Sequence, residues 1–206
     1  NIFTEIKTSN KLANVIKQID SEKKYRILTI AGVGGELSFD FLGRNRNMIN
    51  EVRSLIGHTS FIPKVFMEAL RCDEAGTFYD YDYFLRNLSL IAALNTKWII
   101  LNNSDPNNER YSKVKQKLEL ISKFNNFEIF EIPNAQLPIF GLKNVKYSNS
   151  NVIDTFNYIE TGLVKESILE GNYSLPNEIS NIAIKNGSIT ANIKTESDSF
   201  IAISET

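Results

Sequence analysis

The chain has 206 residues, 42% hydrophobic and 23% charged, with 23 lysines and arginines against 24 aspartates and glutamates, for a formal net charge of -1. That length accommodates a substantial core, and that composition excludes a disordered chain and the basic excess through which phosphate contacts drive nucleic-acid binding. A lone cysteine, Cys72, and a lone histidine, His58, exclude an intramolecular disulfide and a zinc site built from the usual ligands.

Leu12, Val15, Ile16 and Ile19 recur at helical spacing, with Ser9 or Asn10 near the N-cap. After the polar break Ser21–Lys24, Tyr25–Ile30 (YRILTI) reads as a buried strand that runs into Ala31-Gly32-Val33-Gly34-Gly35. Met48, Ile49, Val52, Leu55 and Ile56 predict one helical face. Pro63 suits the first turn of a second helix, whose face is Val65, Phe66, Ala69 and Leu70. A third helix, from Tyr81 to Leu94, carries Phe84, Leu85, Leu88, Ile91 and Ala92, and Trp98–Leu101 (WIIL) is a second buried strand. Ser104-Asp105-Pro106 signals a helix start, and the helix is predicted from Pro106 to Phe124 with Tyr111, Val114, Leu118 and Ile121 on one face. Phe127–Ile132 (FEIFEI) is the third strand. Strand, helix, strand predicts a right-handed βαβ unit, with Trp98–Leu101 and Phe127–Ile132 parallel in one sheet that includes Tyr25–Ile30.

The pattern changes beyond Pro133 and Pro138. Residues 151–159 predict a short helix through Val152, Phe156 and Ile159. Past Pro176, Ile182 and Ile184 lead into Asn186-Gly187, and Ile189, Ala191 and Ile193 lead out, which is a strong hairpin signal. Phe200–Ile203 (FIAI) is apolar on both faces and expects cover or a neighbour. The fold class expected is α/β, a parallel-containing sheet covered by helices in a Rossmann-like three-layer arrangement, followed by the beginning of an all-β domain. The boundaries are 1–172 for the α/β domain and 173–206 for strands of an incomplete β domain, completed by chain beyond Thr206, by docking, or by an edge-strand dimer. The longest apolar stretch, Leu88 to Leu101, is interrupted by Asn95, Thr96 and Lys97 and is too short to span a bilayer.

Two segments invite a functional reading. Gly32, Gly34 and Gly35 give G-x-G-G, but Leu37 holds the third glycine position of the dinucleotide fingerprint, and a plain turn competes with a phosphate loop. In Tyr79-Asp80-Tyr81-Asp82-Tyr83, aromatic rings beside carboxylates suit a sugar, so Tyr79, Asp80, Tyr81 and Asp82 are ligand-binding candidates. The competing account is a helix N-terminus, where acids are favoured by the dipole. His58 has no assignable nucleophile, and Cys72 reads as an inert, partly buried thiol. Asn87, Asn102, Asn172 and Asn186 match the N-glycosylation acceptor pattern, as chance allows in an asparagine-rich chain. No catalytic residue, metal site or cofactor is expected.

Taken in order, Tyr25-Arg26-Ile27-Leu28, Leu94-Asn95-Thr96-Lys97-Trp98-Ile99-Ile100, Phe130-Glu131-Ile132-Pro133-Asn134-Ala135-Gln136-Leu137-Pro138 and Phe200-Ile201-Ala202-Ile203-Ser204-Glu205-Thr206 resemble the large extracytoplasmic region of YfhO-type membrane proteins, which are similar to C-superfamily glycosyltransferases. Gln136, inserted before Leu137-Pro138, and Ile139, where that family often has arginine, depart from its pattern. The resemblance implies a multi-pass membrane protein handling lipid-linked sugars at the outer face of the cytoplasmic membrane, with its catalytic carboxylates on loops outside this sequence. This portion is then accessory. Its partners are the transmembrane part of the same protein and a polyprenyl-linked sugar or glycan acceptor, with no nucleic acid. The rivals are a small Rossmann-like nucleotide-binding enzyme using Gly32–Gly35 and a cell-surface interaction domain without a sugar role.

Overall fold

The computed structural model describes residues 11–30, 51–55, 64–72, 80–104, 111–150, 155–185 and 188–204. Its helices are α1 (Lys11–Ile19), α2 (Lys64–Leu70), α3 (Tyr81–Arg86), α4 (Leu88–Ala93) and α5 (Ser112–Lys117). Its strands are β1 (Arg26–Ile30), β2 (Thr96–Asn102), β3 (Glu119–Phe124), β4 (Phe127–Glu131), β5 (Ile139–Leu142), β6 (Asn144–Tyr147), β7 (Thr161–Val164), β8 (Gly171–Asn172), β9 (Glu178–Lys185), β10 (Ser188–Lys194) and β11 (Phe200–Ile203). The fold is mixed α/β with parallel pairs in its sheets, and the chain divides into two compact units, residues 1–85 with 96–133 and residues 86–95 with 134–206.

The first unit is organised by a sheet of order β1-β2-β4-β3. Helix α1 lays Leu12, Ala13 and Ile16 against Ile27, Trp98, Ile100, Phe127 and Ile129, so the spacing seen in the sequence is the buried face, with Val15 and Ile19 at its margin. Asp20 then turns the chain into β1, its carboxylate accepting the Lys24 and Tyr25 backbone N–H groups at 3.1 and 2.8 Å. Consecutive residues Ile27 and Leu28, and Trp98 through Leu101, are buried, so both faces of these strands are covered. Beyond β1, the Ile27 N–H donates to the Arg53 carbonyl and the Leu55 N–H to the Ile27 carbonyl, both at 2.8 Å.

Three expectations for this unit are corrected. Residues 51–55 are not helical: Ser54, between Val52 and Leu55, forms an isolated parallel bridge to Ile27 of β1. The predicted helix to Phe124 ends at Lys117, because Leu118 takes an extended conformation (φ -114°, ψ 150°) and 119–124 form β3. A two-residue turn follows, with Asn125 in the left-handed region at φ 50°, and returns the chain as β4. As a result β2 and β4 are antiparallel rather than parallel. Because β3 and β2 both run against β4, they are parallel to each other across it.

In the second unit β5 pairs antiparallel with β11, β6 lies between parallel β7 and antiparallel β8, and β9 pairs antiparallel with β10. The predicted helix from Tyr81 to Leu94 is interrupted at Asn87. Its buried side chain accepts the Thr155 N–H at 2.9 Å, and Asn87 stands at φ -109° and ψ 31°. Ser89 Oγ donates to the Phe156 carbonyl at 2.6 Å, and Asn95, buried at φ 60°, donates from Nδ2 to the Gln136 carbonyl at 2.7 Å. These bonds fasten α4 to the segment after Asn134. Of the helix expected over 151–159, residues 151–154 lie outside the described residues, and 155–159 are turn and irregular chain instead. Both strands of the predicted hairpin are present, with Ser188 opposite Lys185, and Phe200–Ile203 finds its neighbour in β5.

Candidate functional site

The acidic-aromatic segment begins α3. Asp80 precedes the helix, and its Oδ1 accepts the Tyr83 backbone N–H at 2.8 Å, the bond by which a cap satisfies a free N–H of the first turn. Its Oδ2 receives Arg71 Nη1 at 2.7 Å, and the Arg71 guanidinium carbon lies 3.8 Å from the centre of the Tyr83 ring. The Tyr83 hydroxyl donates to the Ala69 carbonyl at 3.1 Å, tying α3 to the end of α2. One residue pair thus caps a helix, binds a cation and joins two elements.

Asp82 lies apart from this arrangement. Both its oxygens receive Lys113 Nζ, at 2.7 and 2.8 Å, in an exposed pair. The Tyr81 ring meets Tyr111 at 6.4 Å between centroids, and the Tyr111 hydroxyl donates to the Ile30 carbonyl at 3.4 Å. The two carboxylates therefore serve different cations from different elements. Of the four sugar candidates, Asp80, Tyr81 and Asp82 are each engaged by a neighbour of the same unit, and Tyr79 lies outside the described residues. Gly32, Gly34, Gly35 and His58 also lie outside them. Cys72 is buried and free of any disulfide. Asn87, with its carbonyl oxygen committed and its side chain buried, is closed to glycosylation in the folded chain.

A second charged site was missed in the sequence. Glu128, on β4, is nearly buried, with Lys115 Nζ at 2.8 Å on Oε2 and Lys123 Nζ at 2.8 Å on Oε1. Burial alone pushes its pKa up. Hydrogen bonds from Lys115, Lys123 and Asn103 outweigh that and hold the carboxyl down at about 2. Lys123 stands directly opposite Glu128 in the β3–β4 register, a pairing that a helix over 119–124 could not supply. Glu128 and Glu131, set inside the apolar run FEIFEI, were the available signal.

A shallow depression beside α1 holds Lys17, Lys23 and Arg53 with Asp20 and Glu51. Glu51 receives Lys23 at 2.8 Å and faces Lys17 at 3.9 Å, and Asp20 is committed to backbone N–H groups. Burial first, then the charge of Arg26, lowers Arg53 to about 10, while Asp20 opposes the shift. Arg53 Nη1 donates to the Lys24 carbonyl at 2.8 Å. The charges neutralise one another locally and present no lone nucleophile or base.

Among the described residues no group of three or more His, Cys, Asp or Glu side chains converges as metal ligands, and no described helix is long and apolar enough to cross a membrane. No protein-family model, curated protein or solved structure matches the chain.

Proposed function

We propose that this chain is a non-catalytic extracytoplasmic domain of a multi-pass membrane protein resembling the lipid-linked-sugar glycosyltransferases, with an accessory role in recognising an acceptor or partner. The observation that carries the reading is the commitment of Asp80 and Asp82. One caps a helix and holds Arg71 and the other pairs with Lys113 at the exposed surface, so neither carboxylate of the segment best suited to sugar chemistry stands as an unpaired acid or base. An accessory domain needs no reacting group of its own. Within this reading Tyr81 and Asp82 offer a glycan acceptor its contact, since Asp82 is exposed and the Tyr81 ring is half-buried.

The same reading takes the first unit as Rossmann-like and three-layered. Support comes from the parallel pair β1–β2, from α1 packed on one face, and from strands buried at consecutive positions. The ordered segments that carry the resemblance also meet elements: the first two run onto β1 and β2, the third spans the end of β4 and the stretch before β5, and the fourth begins on β11 beside β5.

The test is location in cells that carry the whole reading frame. The segment is expected to remain with membranes after an alkaline wash and to be cut by protease added outside intact spheroplasts. Recovery in the soluble cytosolic fraction, or protection from that protease, sinks the proposal. Calorimetry with NAD(H) or ATP is expected to show no binding; micromolar binding that is lost on Gly34→Ala establishes the nucleotide-binding alternative instead.

A further inference from the structure

Hairpin β9–β10 carries its isoleucines on one face. The register sets Ile184 opposite Ile189 and Ile179 opposite Ile193. Between these pairs Asn181 and Ile182 together oppose Ala191, a bulge marked by Asn181 at φ 52°. The bulge keeps Ile179, Ile182 and Ile184 in phase, so they share a face with Ile189, Ala191 and Ile193. Every one of these side chains keeps contact with solvent, and Ile184 and Ile193 are exposed. A two-stranded ribbon with such a face is marginal in water, and further strands stabilise it.

The two edges of the hairpin differ. The bulge twists β9 and spoils its outer hydrogen-bonding row, which is a known device against edge pairing. Strand β10 has no bulge and no proline, its one charge is Lys194 at the end, and no strand pairs with its outer edge among the described residues.

We propose that β10 pairs antiparallel with β10 of a second copy about a two-fold axis at Ala191, giving a four-stranded sheet across two chains. Side-chain alternation restricts the register, because residues opposite one another must share a face. Centring on Ala191 places Ile189 opposite Ile193 of the second copy and Thr190 opposite Asn192. Each outer apolar row then reads Ile184, Ile189, Ile193, Ile179 across the sheet. On the other face Lys194 meets uncharged Ser188, whereas parallel pairing sets Lys194 against its own copy. The antiparallel arrangement is self-complementary in shape and opposes no like charges.

One strand pair buries less than the 1,200 Å² or so of a stable interface, so the dimer is weak, with a dissociation constant between about 10 μM and about 1 mM. Sedimentation equilibrium of the full chain across that range tests it, together with hydrogen exchange of the 188–194 amides. The mass is expected to rise toward twice the monomer, with protection growing at 188–194. Thr190→Lys with Asn192→Lys sets lysines against each other across the axis and keeps the chain monomeric. Thr190→Glu with Asn192→Lys makes those contacts attractive and restores the dimer. Should the first pair fail to fold by circular dichroism, the second pair and the exchange footprint decide. A chain monomeric at about 1 mM, a dimer indifferent to the lysine pair, or a dimer whose 188–194 amides gain no protection overturns the proposal.

Discussion

The sheet of the first unit and the β9–β10 hairpin use strands in opposite ways. In β1 and β2 consecutive side chains are buried, and the pairing is held by long-range packing, β1 meeting β2 some seventy residues further along the chain. No described residue of β9 or β10 is buried, and β10 begins only three residues after β9 ends, with Ser188 opposite Lys185. The first is specified by apolar area withdrawn from water, the second by turn chemistry and local pairing. Stability is therefore concentrated in one part of the molecule, and adaptability in the other.

The widest expected contrast comes from truncating one isoleucine in each. Ile100 is fully buried among α1 and the neighbouring strands, so Ile100→Ala leaves a cavity and costs roughly 3–4 kcal/mol. Ile184 is 39% exposed, and Ile184→Ala costs less than about 1 kcal/mol in the monomer. Urea denaturation of both variants at low protein concentration measures the difference. Equal losses break the comparison and place the hairpin in the same cooperative core as the sheet.

The sequence was legible where one local signal dominated. Apolar runs marked β1 and β2, spacing along α1 marked its buried face, and Asn186-Gly187 announced β9 and β10. Residues 119–124 failed because Leu118 and Ile121 fit a helical face as well as a strand, and the deciding feature was the left-handed Asn125 after them. Asn87 breaks a helix for the sake of Thr155, 68 residues away, and no window along the chain contains both. The candidate site divides the same way. A capping Asp80 was readable beside its helix, but the Lys115–Glu128–Lys123 group needs the β3–β4 register before its members meet.

Glu128 sharpens the contrast by asking what a charge does in each region. Its carboxyl titrates at about 2 in the fold against an ordinary value of 4.5. Because the folded value is depressed, its contribution is complete above about pH 4.5 and is lost as pH falls through about 2. The full shift corresponds to roughly 3 kcal/mol, and solvent screening of the half-exposed Lys115 and Lys123 reduces this to about 1–2 kcal/mol. Glu128→Gln is expected to lose that amount at pH 7 and to flatten the fall in stability between pH 5 and 2, by urea titration at each pH. Glu178→Gln on the exposed hairpin changes stability by less than about 0.5 kcal/mol at pH 7. Parallel pH profiles for wild type and Glu128→Gln contradict this assignment of the charge.

The smallest effect separates two acids only two residues apart at the start of α3. Asp80 satisfies a first-turn N–H and receives Arg71 from a half-buried position, so Asp80→Ala removes an acceptor the helix end needs and costs about 1 kcal/mol. Asp80→Asn keeps the acceptor oxygen and recovers most of that loss. Asp82 meets Lys113 where both are more than half exposed, so Asp82→Ala costs less than about 0.5 kcal/mol, and molar salt erases even that. Denaturation of the three variants, at low salt and at about 1 M salt, supplies the comparison. If Asp82→Ala proves as costly as Asp80→Ala, the exposed carboxylate is bound to the fold as firmly as the cap. It is then no longer free to turn toward a sugar hydroxyl, and the acceptor contact proposed at Tyr81 and Asp82 falls with it.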